Sequence, residues 1–167
     1  MPHDSRLDRR QVLLAASGLA LAFAAAPGLA LAADPFATSP FRKLSNAEWK
    51  KRLSPAVYNI LREEGTEAPG SSPLLNEHRQ GQFVCAGCAL PLFKSQWKFD
   101  SHTGWPSFYD VIPANVGRKS DHALIEERTE YHCARCLGHQ GHVFRDGPPP
   151  TGLRYCNDGL GLKFVPA

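Results

Sequence analysis

The sequence predicts a mainly β domain of antiparallel sheets, a barrel or a sandwich, with short helices at its N-terminal side. Three observations carry this expectation. Short apolar runs recur about every ten residues with Gly, Pro and Asp between them, the rhythm of short strands joined by tight turns. Fourteen glycines and fourteen prolines among 167 residues supply those turns and leave little room for long helices. Two identical Cys-x-x-Cys elements offer a staple between distant hairpins. A composition of 43% hydrophobic and 21% charged residues suits one ordinary soluble domain and excludes a wholly disordered chain. The formal net charge of +3 is small and dispersed, unlike the clustered basic face of a nucleic-acid binder.

The chain opens on an address. Arg6, Arg9 and Arg10 precede an apolar run from Val12 to Ala26, and Ala30-Leu31-Ala32-Ala33 follows it, the charged, apolar, small-residue order of an export signal. The run is shorter than the roughly 20 residues of a spanning helix, and Pro27 and Gly28 close it. Arg9-Arg10 with Gln11-Val12-Leu13 resembles the twin-arginine class of bacterial signals. That resemblance implies export of a folded protein to the periplasm, cleavage after Ala32 or Ala33, and no membrane attachment afterwards. The expected organisation is a signal over 1–33, a Pro-rich arm over 34–44 and a domain over 45–167. The exported part holds 16 basic and 14 acidic residues and is nearly neutral.

Ser45-Asn46-Ala47-Glu48 has capping-box spacing and starts a short helical turn through Trp49, Arg52 and Leu53. A second helix has Ser54 as N-cap, Pro55 at its first position, an apolar face of Val57, Ile60 and Leu61, and Gly65 as its stop. Residues Ala68 to Pro73 form a linker. Strands are expected at Gln82 to Cys85, Phe108 to Ile112, His122 to Glu126, Glu130 to Cys133, His142 to Phe144, Leu153 to Cys156 and Leu162 to Val165.

Cys85, Cys88, Cys133 and Cys136 make two pairs of equal spacing. Two residues between thiols let a tight turn aim both sulfurs at one point, and two such turns complete a tetrahedral four-thiolate shell for structural zinc. The long segment between the pairs makes this a clip between distant hairpins. Three other arrangements stay open: structural disulfides, favoured by export; a redox dithiol in one Cys-x-x-Cys; and a local metal site of Cys133, Cys136, His139 and His142. Four zinc thiolates bring the nearly neutral chain to about zero charge, so no attraction to anionic partners is expected.

The fifth cysteine, Cys156, ends a strand within Arg154-Tyr155-Cys156-Asn157-Asp158. It is either an inert buried thiol or a nucleophile. Arg154 shares its strand face and lowers the thiol pKa, while Asp158, His139 and His142 are nearby proton donors.

The segments Gly104-Trp105-Pro106-Ser107-Phe108, His139-Gln140-Gly141-His142-Val143-Phe144 and Gly152-Leu153-Arg154-Tyr155-Cys156, in order with the two Cys-x-x-Cys pairs, resemble the B-type peptide-methionine (R)-S-oxide reductases from about Ser45 to Phe164. The resemblance implies a fold of two antiparallel sheets with one structural zinc. It implies that Cys156 attacks the sulfoxide sulfur and becomes a sulfenic acid as methionine leaves. His139 and His142 then bind and polarise the sulfoxide oxygen, Trp105 holds the S-methyl group, Phe108 lines the substrate, and Arg154 supports the thiolate. Two departures stand out. Many members carry a second cysteine just before the Gly-Trp-Pro-Ser-Phe segment, where this chain has Thr103, so an external thioredoxin-like reductant is expected. Many have Asn two positions after the nucleophile, where this chain has Asp158. The expected partners are methionine-R-sulfoxide in oxidised proteins and that reductant, with the chain a monomer. The competing readings are a zinc-knuckle binding module, with Trp105 packing the core, and a thiol-disulfide oxidoreductase using Cys85 and Cys88.

Overall fold

A computed structural model describes residues 34–122 and 128–167. The export signal over 1–33 therefore lies outside the described residues, as does the strand expected over His122 to Glu126 from position 123 onward. The residues from Asp34 form one compact unit.

Among the described residues, two α-helices come first. Helix α1 (Asn46–Arg52) begins at a capping box in which the Ser45 hydroxyl and the Glu48 carboxylate bond reciprocally to backbone N–H groups. Helix α2 (Pro55–Glu63) is capped by Ser54 with Pro55 at its first position. Its stop falls one residue earlier than expected. Glu64 takes the left-handed conformation (φ 55), and the Gly65 N–H donates to the Asn59 carbonyl. A Cβ at Gly65 would lie 2.0 Å from the end of the Asn59 side chain, which would have to turn aside. The 34–44 arm is ordered in this unit: Phe41 stacks on Trp49 and Arg42 donates to the Ala134 carbonyl.

Nine strands follow among the described residues: β1 (Gly81–Cys85), β2 (Pro91–Lys94), β3 (Lys98–Phe99), β4 (Ser107–Phe108), β5 (Val116–Asp121), β6 (Arg128–Cys133), β7 (His139–Phe144), β8 (Arg154–Asn157) and β9 (Leu162–Pro166). They form a three-stranded sheet in the order β2-β1-β9 and a six-stranded sheet in the order β3-β4-β8-β7-β6-β5, with antiparallel pairing throughout. The two-sheet β fold is thus present. The expected strand from Phe108 to Ile112 is only Ser107–Phe108, because Tyr109 and Ile112 make isolated bonds to the Trp97 and Leu92 carbonyls instead of a ladder. Strand β7 starts at His139, three residues before the expected start. Strand β5 precedes the expected position; its Arg118-Lys119-Ser120-Asp121 carries no apolar alternation, and only its ladder to β6 makes it a strand. Such charge suits the edge of a sheet. Strands β2 and β3 were not expected, being four and two residues long.

The sheets meet over aromatic rings. Phe83 and Phe93 of the small sheet pack on Phe108, Tyr131 and Tyr155 of the large one, with Phe93 and Phe108 stacked at 4.0 Å between centroids. All five are buried, and burial of rings of this size dominates the energetics of a small domain. Helix α2 covers the cysteine turns: Leu61 methyls lie where a Cβ on Gly87 or Gly138 would need room, and Arg62 donates to the Cys136 carbonyl at 3.0 Å. Leu61→Ala should lower the unfolding free energy by about 2–5 kcal/mol, read from urea unfolding of the metal-loaded protein, and should weaken metal retention in parallel.

Candidate active site and metal centre

The two Cys-x-x-Cys turns are built alike. Cys85 accepts from Ala89 and Cys133 from Leu137 at 2.8 Å, and each turn closes through a left-handed residue, Ala89 (φ 57) or Leu137 (φ 59). The four sulfurs converge within 4.8 Å of one another. Cys85 faces Cys136 at 3.6 Å and Cys88 faces Cys133 at 3.5 Å. A disulfide needs about 2.05 Å, whereas two thiolates on one tetrahedral zinc lie about 3.8 Å apart for Zn–S near 2.3 Å. The donor set therefore fits a closed structural zinc site, and Gln140 adds a hydrogen bond to Cys85 Sγ at 3.5 Å. His139 and His142 take no part in it. The hydrogen bonds among the sulfurs push Cys85 and Cys136 up and Cys88 and Cys133 down, so metal binding must displace protons. Because Cys85 and Cys88 are buried, neither is placed to exchange disulfides with a partner.

The fifth thiol lies elsewhere. Strand alternation turns Tyr155 into the aromatic core and Cys156 to the opposite face. There the register runs as a single row: Cys156 pairs with Ser107 on β4 and His142 on β7, His142 with Glu130, and Glu130 with Lys119. A cavity of about 140 Å³ opens beside the thiol, lined chiefly by Trp105, Arg128, His142, Phe144, Cys156 and Asp158. That is well under the roughly 300 Å³ of an ordinary small-molecule pocket and suits the end of one side chain. Cys156 is partly exposed. Burial pushes its thiol up, opposed by the Arg154 charge and by hydrogen bonds from Thr103 and Arg154, while Asp158 adds to the rise. Arg154 is held by Asp146 through two bonds of 2.9 and 2.8 Å and lies over the Phe144 ring.

The other expected residues divide. His142 lines the cavity with Nε2 2.7 Å from Asp121 Oδ2, and Asp121 also pairs with Arg128 at 2.7 Å. Desolvation pulls the His142 pKa down against the Asp121 hydrogen bond, so the ring is mainly neutral at pH 7. His139 is neither turn-exposed nor at the cavity wall. It is buried between Glu130, 3.1 Å from Nδ1, and Asp158, 3.8 Å from Nε2, and reaches the cavity only through Asp158. Burial pushes the Asp158 carboxyl up to about 6, against a bond from the Glu67 N–H at 2.9 Å. Trp105 walls the cavity and donates through its indole to the Glu67 carbonyl at 3.2 Å. Gly104 before it (φ +91) packs so closely on Pro69 that a side chain has no room. Phe108, expected at the substrate, is instead fully buried in the core. It pairs with Tyr155, so it shares the face of Tyr155, and Ser107 is the residue beside Cys156.

Asp121, Arg128, Phe144 and Glu67 were not singled out from the sequence. Asp121 and Arg128 lie on β5 and β6 in direct register, which no local spacing reveals. Glu67 binds the Gly159 and Leu160 N–H groups at 2.6 and 3.1 Å. With its own N–H on Asp158 and its carbonyl on Trp105, it holds two walls of the cavity.

A two-sheet β domain with a closed four-thiolate clip, and a separate thiol set among an arginine, a histidine and a carboxyl, defines a thiol-dependent oxidoreductase with a structural metal. Residues 53–166 match the SelR domain. The chain is 49% identical over 132 residues to "Peptide methionine sulfoxide reductase MsrB" of Agrobacterium fabrum, covering 77% of this chain and 96% of that protein. It is 49% identical over 125 residues to the protein of the same name from Thiobacillus denitrificans, covering 73% and 93%. For the Methanosarcina barkeri protein the identity is 50% over 121 residues, covering 72% and 85%. The chain belongs to the MsrB family of peptide methionine sulfoxide reductases. A solved structure, the Mis18 'Yippee-like' domain, overlaps 53% of the chain at TM-score 0.43 and 17% identity, too distant to argue from.

Two measurements test this geometry. Cys133→Ser should lose the metal and cost several kcal/mol of stability, seen as zinc content near zero and loss of a cooperative unfolding transition, while Cys156→Ser keeps one zinc per chain. Asp158 has a folded-state pKa above its unfolded value, so its burial costs nothing below about pH 4 and most above about pH 6. Asp158→Asn should therefore gain stability over wild type as pH rises through that window, by about 3 kcal/mol; a gap independent of pH in urea unfolding would count against the raised carboxyl.

Proposed function

We propose that this chain reduces the R epimer of methionine sulfoxide, in oxidised proteins and as the free amino acid, and that Cys156 is its nucleophile. The supporting observation is the small cavity at Cys156, which gathers a thiol, an aromatic wall, a histidine and a carboxyl of raised pKa around space for one side-chain end. Each methionine sulfoxide epimer requires its own type of reductase.

The chemistry assigns each group a task. The Cys156 thiolate attacks the sulfoxide sulfur while Asp158, protonated and backed by His139, with His142 beside it, supplies the proton for the oxygen. Oxygen moves to Cys156 as the S–O bond to methionine breaks, leaving Cys156 as a sulfenic acid and methionine as the thioether. Trp105 and Phe144 hold the S-methyl group. The other four cysteines are committed to the metal clip, so an external dithiol completes the cycle. Its first thiol forms a mixed disulfide with Cys156 and releases water, and its second displaces Cys156 as a thiol. A thioredoxin-like protein has this chemistry, and the enzyme acts as a monomer. The Arg9-Arg10 leader directs the chain to the periplasm after folding, where it repairs exported proteins.

Cys156→Ser should reduce turnover of the R epimer with dithiothreitol by at least about a thousandfold while zinc stays bound. Turnover of the S epimer alone, or an intramolecular Cys156 disulfide after one equivalent of sulfoxide, contradicts this mechanism. The pH profile of kcat/KM separates the acid. Wild-type kcat/KM should rise with thiolate formation at low pH and level off as Asp158 ionises above about pH 6, whereas Asp158→Asn should run slower below that point and keep rising beyond it. N-terminal sequencing of the protein from a periplasmic fraction should begin near Asp34.

A further inference from the structure

Asp158 stands where an aspartate has a competing use for its carboxyl. It is the residue before the short 3-10 turn Gly159–Gly161, with extended backbone (φ −66, ψ 119), and its side chain makes no capping bond there. An aspartate in that place ordinarily folds back and accepts from the N–H two or three residues on. Here both donors are already engaged. The Leu160 N–H donates to Glu67 Oε2 at 3.1 Å, and the Gly161 N–H donates to the Asp158 carbonyl at 2.8 Å. Glu67 Oε1 also accepts from the Gly159 N–H at 2.6 Å.

Glu67 thus does from a distant segment what the Asp158 side chain would do locally. The contact is reciprocal. The Glu67 N–H donates to Asp158 Oδ1 at 2.9 Å, which leaves Oδ2, 3.8 Å from His139 Nε2, as the oxygen that carries the acidic proton. Both residues are buried. Gly159 lets the two segments meet, since a Cβ there would lie 1.9 Å from Ser72 Oγ and 3.1 Å from Glu67 Oε1. Without the Glu67 carboxylate the Leu160 N–H has lost its acceptor, an unfavourable state for a backbone donor, and Asp158 sits in the ordinary capping position to replace it. A carboxyl that accepts such a bond is favoured in its charged form.

We propose that Glu67 is a positioning residue whose carboxylate takes over the capping of the 159–161 turn and so holds the Asp158 carboxyl at the cavity of Cys156. The proposal rests on Asp158 being the acid of the reaction. The charged and titratable groups that face Asp158 are Glu67 from the segment after α2, His139 on β7, Cys156 on β8 and Tyr131 on β6, with His142 and Arg128 lining the same cavity. Of these neighbours only Glu67 is changed in the experiment.

The zinc-loaded full chain, labelled with carbon-13 at its aspartate carboxyls, is titrated by NMR, the Asp158 signal being assigned by its loss in Asp158→Asn. In wild type it should titrate at about pH 6. In Glu67→Gln, whose amide nitrogen cannot accept a hydrogen bond, it should titrate at about pH 4, the ordinary aspartate value. That substitution also removes the Glu67 charge, and Glu67→Asp separates the two effects. It keeps the charge, but its carboxylate is one methylene too short to hold both N–H groups, so it should lower the midpoint as well; it also carries the comparison if Glu67→Gln fails to retain zinc. A midpoint left at about pH 6 in Glu67→Gln, or one lowered there and unchanged in Glu67→Asp, overturns the proposal. In kinetics the double variant Glu67→Gln/Asp158→Asn should be no slower than Asp158→Asn alone, because residues that act through one another are not additive. A further loss in the double variant means that Glu67 acts otherwise than through Asp158 and also overturns it. A wild-type pH profile of kcat/KM in Asp158→Asn would instead overturn the acid assignment and leave the titration comparison intact.

Discussion

In the six-stranded sheet, Lys119, Glu130, His142, Cys156 and Ser107 are successive register partners on five adjacent strands. Direct partners project to the same face, and alternate residues project to the other. The row therefore sets Cys156 and His142 on one face while Tyr131, Tyr155 and Phe108 supply the aromatic core on the other. A one-residue slip of β8 would bury Cys156 and expose Tyr155. Such a slip is opposed by the packing of Phe93 on Phe108 and of Tyr131 on Tyr155. Core packing and the surroundings of Cys156 are two consequences of one register.

The environment this row creates for the thiol is a balance. Burial disfavours the thiolate, and Arg154 with the Thr103 hydroxyl favours it. Burial raises the Asp158 pKa, with the Glu67 charge adding to it, and the Asp158 carboxylate in turn repels the Cys156 thiolate and raises the pKa of that thiol. A protonated Asp158 removes that repulsion and is also the form able to donate a proton. The same burial that makes the thiolate costly thus keeps the Asp158 carboxyl protonated to higher pH. Glu130 and His139 lie behind Asp158 in a buried row of polar side chains that reaches Lys119 at the sheet edge.

The metal clip acts at a distance. Its turns join the small sheet at Cys85 to the large sheet at Cys133, and α2 lies over both through Leu61 and Arg62. A chain with two very short strands and many turns has a modest core for its length, and a four-thiolate centre converts binding free energy into folding free energy. These four thiols are buried, whereas Cys156 is partly exposed beside a cavity.

Much of this was readable in the chain itself, because it depends on local chemistry. Ser45 and Ser54 cap helices through neighbours three residues away, the Cys-x-x-Cys spacing aims two sulfurs at one point, and the ordered motifs around Trp105, His142 and Cys156 identify the family. Pairing across the sheet is different, since register is set by contacts between residues far apart in sequence. That is why Phe108 belongs to the core and Ser107 to the thiol, and why His139 lies behind Asp158 and not against substrate. It is also why β5, with no apolar alternation, is a strand, and why Asp121, Arg128 and Glu67 join the site. The sequence by itself determined which residue types were present for metal binding and thiol chemistry; the tertiary structure alone decided which face and which neighbour each received, because a strand's side chains acquire a side only when a partner strand and a core claim one.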